Sequence, residues 1–166
     1  ARQGEVVGVA NINSPGQTAI PGHRAAVERA VAGATARGAK KSVMLPVSAP
    51  FHCALMKPAA DRLAAELERV PVSAPRIAVV RNVDAGVTTT ADEVKPFLVQ
   101  QVASPVRWTD CTERLQREGA TAFLEVGPGR VLTGLLKRTL DGVRGHNVED
   151  PASLEKAVGA VRGGAA

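Results

Sequence analysis

The chain has 166 residues, 45% of them hydrophobic and 22% charged, which suits one ordinary domain or one plus a small satellite and excludes a disordered tail. No window holds the roughly 20 apolar residues that span a bilayer, so no membrane segment or membrane partner is expected. Against 16 Asp and Glu stand 21 Lys and Arg, a net charge of +5 that favours an acidic or phosphorylated partner; with no Tyr, three Phe and one Trp the chain has too few stacking platforms for nucleic acid.

Residues 6 to 12, V-V-G-V-A-N-I, read as a buried strand. Ser14-Pro15-Gly16-Gln17 then places Pro and Gly where a type II turn needs them, with a short strand over 18 to 21 to follow. From Arg24 to Arg37 the residues Val27, Ala30, Val31 and Ala34 repeat at helical spacing, and Gly38 stands at the C-terminal cap. Residues 42 to 47 alternate, with Val43, Leu45 and Val47 on one side, which predicts a strand. The first third thus reads β-β-α-β, most of a split β-α-β unit whose first strand and helix are expected upstream.

Pro58 opens a helix lined by Leu63, Leu67 and Val70, ahead of a buried strand at 77 to 80. Helices over 92 to 102 and 106 to 118, a strand over 121 to 126 and a helix from Arg130 to Leu140 burying Leu132, Leu135 and Leu136 come next. Asp150 and Pro151 suit the N-cap and first position of a last helix carrying Leu154, Val158 and Val161, with a frayed tail over 163 to 166. This alternation predicts an α/β fold with a parallel sheet.

Of the three histidines, His52 stands in S-A-P-F-H-C-A-L-M, a loop between an expected strand and helix, where reactive groups are commonly presented. Pattern alone leaves two readings of it, a presented base or a structural loop residue. His23, just before the first helix, suits capping or solvent, and His146 falls in a polar connection. Cys53 neighbours His52, but adjacent side chains diverge and no Cys or His spacing suits zinc, so no metal is expected. Gly127-Pro128-Gly129 joins a strand to a helix; with Leu132 where a third glycine belongs, it reads as a tight structural turn. Two separated cysteines and an opening without an apolar signal stretch predict a reducing, cytoplasmic setting. A start at Ala fits either removal of an initiator or a piece of a longer chain.

Five motifs run in order between Val9 and Leu140: N-I-N-S-P-G-Q (11 to 17), A-P-F-H-C-A-L-M-K-P-A (49 to 59), R-N-V-D (81 to 84), S-P-V-R-W (104 to 108) and E-V-G-P-G-R-V-L-T-G-L (125 to 135). In them the chain resembles the C-terminal part of the malonyl-CoA:acyl-carrier-protein transacylases of bacterial fatty-acid synthesis. The resemblance implies part of an α/β-hydrolase-like large subdomain over 48 to 145, an incomplete ferredoxin-like small subdomain over 1 to 47, and a C-terminal helix and tail over 146 to 166. It implies a ping-pong transfer in which a serine takes malonyl from coenzyme A and gives it to the phosphopantetheine thiol of acyl carrier protein, with His52 as base and then acid. Malonyl-CoA is a substrate, and no cofactor is implied.

The same resemblance makes the backbone carbonyl of Gln101 the acceptor that orients His52. Phe51 becomes the residue that narrows the acyl pocket toward malonyl, a discrimination of one methyl worth about 1–3 kcal/mol; the competing reading is a core anchor for the loop. Asn11 and Asn13 would face the cleft and bond the pantetheine arm or a loop carbonyl, although turn chemistry accounts for them equally. Lys40, Lys41, Lys137 and Arg138 would dock the acidic carrier protein and the coenzyme A phosphates, against the alternative of solvated charge.

None of the serines, at 14, 42, 48, 73, 104 and 153, stands in the family's G-H-S-x-G elbow. The upstream Gly-Gln-Gly loop and the arginine that pairs with the malonyl carboxylate are also missing from the sequence. Implied partners are therefore acyl carrier protein, malonyl-CoA and a missing N-terminal half of the same enzyme, without which the chain is expected to be inactive. A non-catalytic remnant that binds carrier protein is an alternative. So is an acyltransferase domain of a polyketide synthase, against which N-V-E-D-P-A-S-L (147 to 154) resembles the stand-alone enzyme's ending.

Overall fold

Pro15 and Gly16 close a two-residue turn between β1 (Asn11–Ser14) and β2 (Gln17–Ala19), with Gly16 at the φ of +77° that the second turn position requires. The computed structural model describes residues 1–163. In it the strand expected over 6 to 12 pairs as a ladder only at its end. Upstream, Val7 makes a single antiparallel bridge to Gly22, where a Cβ would lie 2.2 Å from the Val6 carbonyl oxygen, so the chains approach because Gly22 has no side chain.

Helix α1 (Arg24–Ala36) buries Ala26 and Val27 and ends as its sequence predicts. Gly38, at φ +93°, donates to the Thr35 carbonyl, and Ala39 donates to that of Ala34, each at 3.0 Å, which is the Schellman arrangement. The expected strand at 42 to 47 does not form: Val43, Leu45 and Val47 are each 61% exposed, and among the described residues the only backbone bond there is local, from Val47 to Leu45. Alternation makes a strand only where a second edge lies alongside, and no described segment does.

A 3-10 turn at Ala54–Met56 leads into α2 (Lys57–Glu68), which packs on α3 (Ala91–Val102). Between them lies a short hairpin, β3 (Val79–Val80) against β4 (Val87–Thr88). The strand expected at 77 to 80 is neither as long nor as buried as its composition suggests, with Ile77 82% exposed. Helix α4 (Trp108–Arg117) starts two residues later than expected because Val106 lies parallel to β1. Val106 donates to the Ala10 carbonyl (2.7 Å) and accepts from the Ile12 amide (2.9 Å). Pro105 keeps the preceding residue out of the helical region.

The parallel pairing is between β5 (Ala122–Val126) and β6 (Arg144–Val148), in unbroken register from Ala122 opposite Arg144 to Val126 opposite Val148. Helix α5 (Val131–Thr139) makes the crossover, and α6 (Pro151–Gly163) packs on β6. The α/β class thus stands, but His146 lies in a strand and not in a polar connection. Helix α5 buries Leu135 and Leu136 while Leu132 is 40% exposed, and α6 turns Ala157 inward and leaves Leu154, Val158 and Val161 largely exposed. Small residues face the sheet there, which lets helix and strand approach closely. Gly163 ends α6, and the remainder of the expected frayed tail lies outside the described residues. Among the described residues no helix is long and apolar enough to cross a membrane.

Candidate active site

Cys53 anchors the Pro50–Cys53 loop. It is 6% exposed, its thiol donates to the Pro50 carbonyl (3.1 Å), and its own carbonyl accepts from Met56, the last residue of the 3-10 turn (2.9 Å). Beside it His52 takes the left-handed region at φ 60°, a conformation that costs a non-glycine residue about 1–3 kcal/mol unless its surroundings over-determine it. His52 Nδ1 lies 3.2 Å from the Gln101 carbonyl oxygen. A carbonyl only accepts, so Nδ1 carries the hydrogen and Nε2 keeps the free lone pair.

Gln101 is the penultimate residue of α3, so its carbonyl belongs to the last four, which have no intrahelical donor. The imidazole supplies one. It sits at the C-terminal, negative end of the α3 dipole.

Phe51 is 48% exposed, so Cys53 and not Phe51 is the loop's core anchor. Asn11 opens β1 opposite Ala19 and also bridges Val106, in the segment that leaves α3 after Gln101; Asn13 sits at the register shift between Ile12 and Ser14. Lys40 and Lys41 are exposed in the irregular segment after α1. Lys137 and Arg138 occupy the last turn of α5, where cations also suit the helix dipole, and Arg138 Nη1 donates to Gln17 Oε1 (2.8 Å), tying α5 to the β1–β2 turn. His52 and Gln101 are thus in direct contact, whereas the two basic pairs sit on separate elements.

His23 departs from its expected role. It holds the N-cap position of α1 without capping it, and its Nδ1 instead accepts the Val6 amide at 2.9 Å, fastening the first strand segment to the helix. Its hydrogen is therefore on Nε2, the opposite tautomer from His52.

Two residues that sequence reasoning passed over organise the surroundings. Glu125 caps α5 from the preceding strand: it accepts the amides of Leu132 (2.9 Å) and Thr133 (2.7 Å) and the Thr133 hydroxyl (2.6 Å). Burial pushes the Glu125 carboxyl up, but the Thr133 hydroxyl and the amides together outweigh it, and the net displacement is downward. The Gly127-Pro128-Gly129 turn is structural, as expected: Gly127 donates to the Val148 carbonyl and Gly129 to the Glu149 carboxylate. The signal for Glu125 was its place, seven and eight residues ahead of the amides it caps across a glycine turn. The second residue, Arg81 of R-N-V-D, donates through Nε and Nη2 to Asp84 (3.1 and 2.9 Å) and through Nη1 to the Val87 carbonyl and Thr88 hydroxyl (3.1 and 3.0 Å). Among the described residues no group of three His, Cys, Asp or Glu is placed to hold a metal ion.

The acyl transferase domain family model matches residues 1–163. Over 156 residues the chain is 49% identical to the malonyl CoA-acyl carrier protein transacylase of Salmonella typhimurium, covering 94% of this chain and 50% of that protein. To the enzyme of the same name from Bacillus subtilis it is 40% identical over 156 residues, covering 94% and 49%. Among solved structures it aligns at a TM-score of 0.92 and 47% identity with a malonyl-transacylase in complex with its type II polyketide-synthase acyl-carrier protein, over 95% of this chain and 51% of that one. The acyl-carrier-protein S-malonyltransferase of Burkholderia pseudomallei aligns at 0.90 and 47% identity, over 93% and 50%. The chain spans about half the length of these relatives.

Proposed function

The chain belongs to the acyl transferase domain family, and from that premise we propose that it forms the histidine-bearing half of a malonyl-CoA:acyl-carrier-protein S-malonyltransferase of fatty-acid biosynthesis. The observation that carries this reading is the Nδ1 contact of His52 with the Gln101 carbonyl, which leaves Nε2 as a base of fixed tautomer. A serine hydroxyl supplied by a second half gives its proton to Nε2 while its oxygen attacks the malonyl thioester. The carbon–sulfur bond breaks, and the imidazolium returns the proton to the departing coenzyme A thiolate. The phosphopantetheine thiol of acyl carrier protein then loses its proton to Nε2 and attacks the malonyl-serine ester, and the serine oxygen leaves with that proton.

Phe51, half exposed beside the base, narrows the acyl pocket toward malonyl. Asn11 and Asn13 bond the pantetheine arm from the small subdomain, residues 1 to 47, which is ferredoxin-like and incomplete. Lys40, Lys41, Lys137 and Arg138 attract the acidic carrier protein and the coenzyme A phosphates. Residues 48 to 145 supply part of an α/β-hydrolase-like subdomain, and a C-terminal helix and tail over 146 to 166 follow it. The reaction takes place in the cytoplasm without a resident cofactor.

Intact mass after incubation with malonyl-CoA and holo acyl carrier protein tests the reading. The chain alone is expected to gain no malonyl group and to transfer none; fusion behind a serine-bearing N-terminal half restores transfer. Malonylation of the isolated chain, or a folded fusion that transfers nothing, contradicts the proposal.

A further inference from the structure

The Gln101 carbonyl is held only as well as the helix end that bears it, and α3 carries a proline in its interior. Pro96 lies inside the helix, where it has no amide to give the Asp92 carbonyl and its ring crowds that carbonyl. The segment Phe97–Val102, with Gln101 near its end, is therefore joined to the first turn by one backbone hydrogen bond fewer than an uninterrupted helix would have.

Arg81 contacts α3 on either side of the proline. Its guanidinium carbon stands 3.7 Å from the ring centroid of Phe97, the first residue after the proline. Its Nη1 lies 3.7 Å from Glu93 Oε1, on the turn before the proline. Phe97 and Gln101 are four residues apart and share a helix face, and both line the same cleft as Arg81, Asn82 and Thr88.

The guanidinium is itself immobilised. Besides the four hydrogen bonds already described, the side chain is only 13% exposed, and its room depends on Gly86, where a Cβ would lie 2.0 Å from Nη2. The Arg81 amide donates to the Gly86 carbonyl (2.8 Å), and its carbonyl accepts the Cys111 thiol of α4 (3.2 Å). A rigid turn fixed to α4 thus presents one planar cation to both sides of Pro96. An arginine serving only the 81–88 turn has no need of Phe97 or Glu93.

We propose that Arg81 is a positioning residue for the His52–Gln101 pair, bridging Pro96 so that the last turns of α3 keep the Gln101 carbonyl within reach of His52 Nδ1. This rests on the reading of His52 as the base, but its test does not depend on catalysis alone.

In the full-length fusion carrying this sequence behind a serine-bearing half, Arg81→Met, Arg81→Lys and Phe97→Leu are compared by nitrogen-15 NMR of the His52 ring and by the pH profile of kcat/KM for transfer. Displacement of a positioned group costs on the order of 10–100-fold in rate. That loss is expected for Arg81→Met, together with a His52 ring divided between two tautomers and an altered pH profile. Phe97→Leu keeps the Asp84 bonds and apolar packing, so it shifts the same readouts less, and Arg81→Lys recovers part of the loss. If Arg81→Met fails to fold, Phe97→Leu decides. Folded variants whose His52 remains wholly Nδ1-protonated, with an unmoved pH profile, overturn the role of Arg81 even where the rate falls. Undiminished transfer by His52→Ala overturns the base reading instead, and with it the function that Arg81 would serve.

Discussion

His52 reaches the carbonyl of Gln101, 49 residues downstream, from a left-handed backbone position at φ 60°. Each feature makes the other intelligible. The unusual dihedral aims the ring at the end of α3, and the orphan carbonyl there holds the ring in place. Buried Cys53 fixes the loop from the other side.

The two histidines with defined partners should differ in tautomer. His52 donates from Nδ1 to Gln101, whereas His23 accepts at Nδ1 from the Val6 amide. Nitrogen-15 long-range correlation spectra of the neutral rings should place the hydrogen on Nδ1 in His52 and on Nε2 in His23. The same tautomer in both would break the assignment.

Backbone strain at His52 makes an unusual stability order. Ala retains the Cβ that disfavours positive φ, and Gly does not, so His52→Gly should be more stable than His52→Ala by about 1 kcal/mol, although glycine ordinarily ranks below alanine. Denaturant midpoints of the two variants check it; an Ala variant equal or superior to Gly contradicts the left-handed geometry.

Removal of the Glu125 cap should loosen α5. Glu125→Ala should lose about 1–2 kcal/mol, read as a lower denaturant midpoint at unchanged slope. Because the folded carboxyl titrates below its ordinary value of 4.5, its contribution is full above that pH and is lost as pH falls through the folded value. The stability gap between the native protein and Glu125→Gln should therefore narrow below pH 4.5, and a gap that widens with acid would refute the cap.

Cys111 should be a slow thiol. Burial, followed by the nearby Asp110 and Asp84 carboxylates, pushes it from 9.0 up to about 11, which cuts its thiolate fraction near pH 8 about 100-fold. Iodoacetamide should alkylate Cys111 at least that much more slowly in the folded chain than in urea. By linkage, the folded state binds this proton more tightly, so its contribution is intact below pH 9 and declines between pH 9 and about 11. A folded-state rate equal to that in urea would contradict the burial.

Much of the fold was legible where the signal is local. Pro15-Gly16 predicts the hairpin, Gly38 the end of α1, and Asp150 the start of α6, whose Ser153 amide donates to the Asp150 carboxylate at 2.7 Å. Each is a matter of a few neighbouring dihedrals. Strand β6 carries no strand signal of its own, because R-G-H-N-V has no apolar period; its register comes from parallel pairing with β5. At Gly145 a Cβ would stand 3.0 Å from Leu136, so glycine permits α5 to pack onto the strand. The expected strand at 42 to 47 had the right alternation and no partner.

The site was legible in a different way. The motif around His52 drew attention through its resemblance to the transacylases, and the same resemblance pointed to Gln101. Periodicity could not join residues 49 apart, nor could it foresee the clasp of Arg81 on Phe97, which depends on a turn, a glycine and a proline-bearing helix meeting in space.

The proposed role of His52 is to move the proton during malonyl transfer. Its most direct measurement is the rate of transfer from malonyl-CoA to holo acyl carrier protein by the full-length fusion with His52 and with Ala in its place, with circular dichroism confirming an unchanged fold. Loss of a positioned general acid–base should lower the rate by about 100- to 10,000-fold. A folded His52→Ala protein that turns over near the native rate would show that the imidazole is structural and that another group carries the proton.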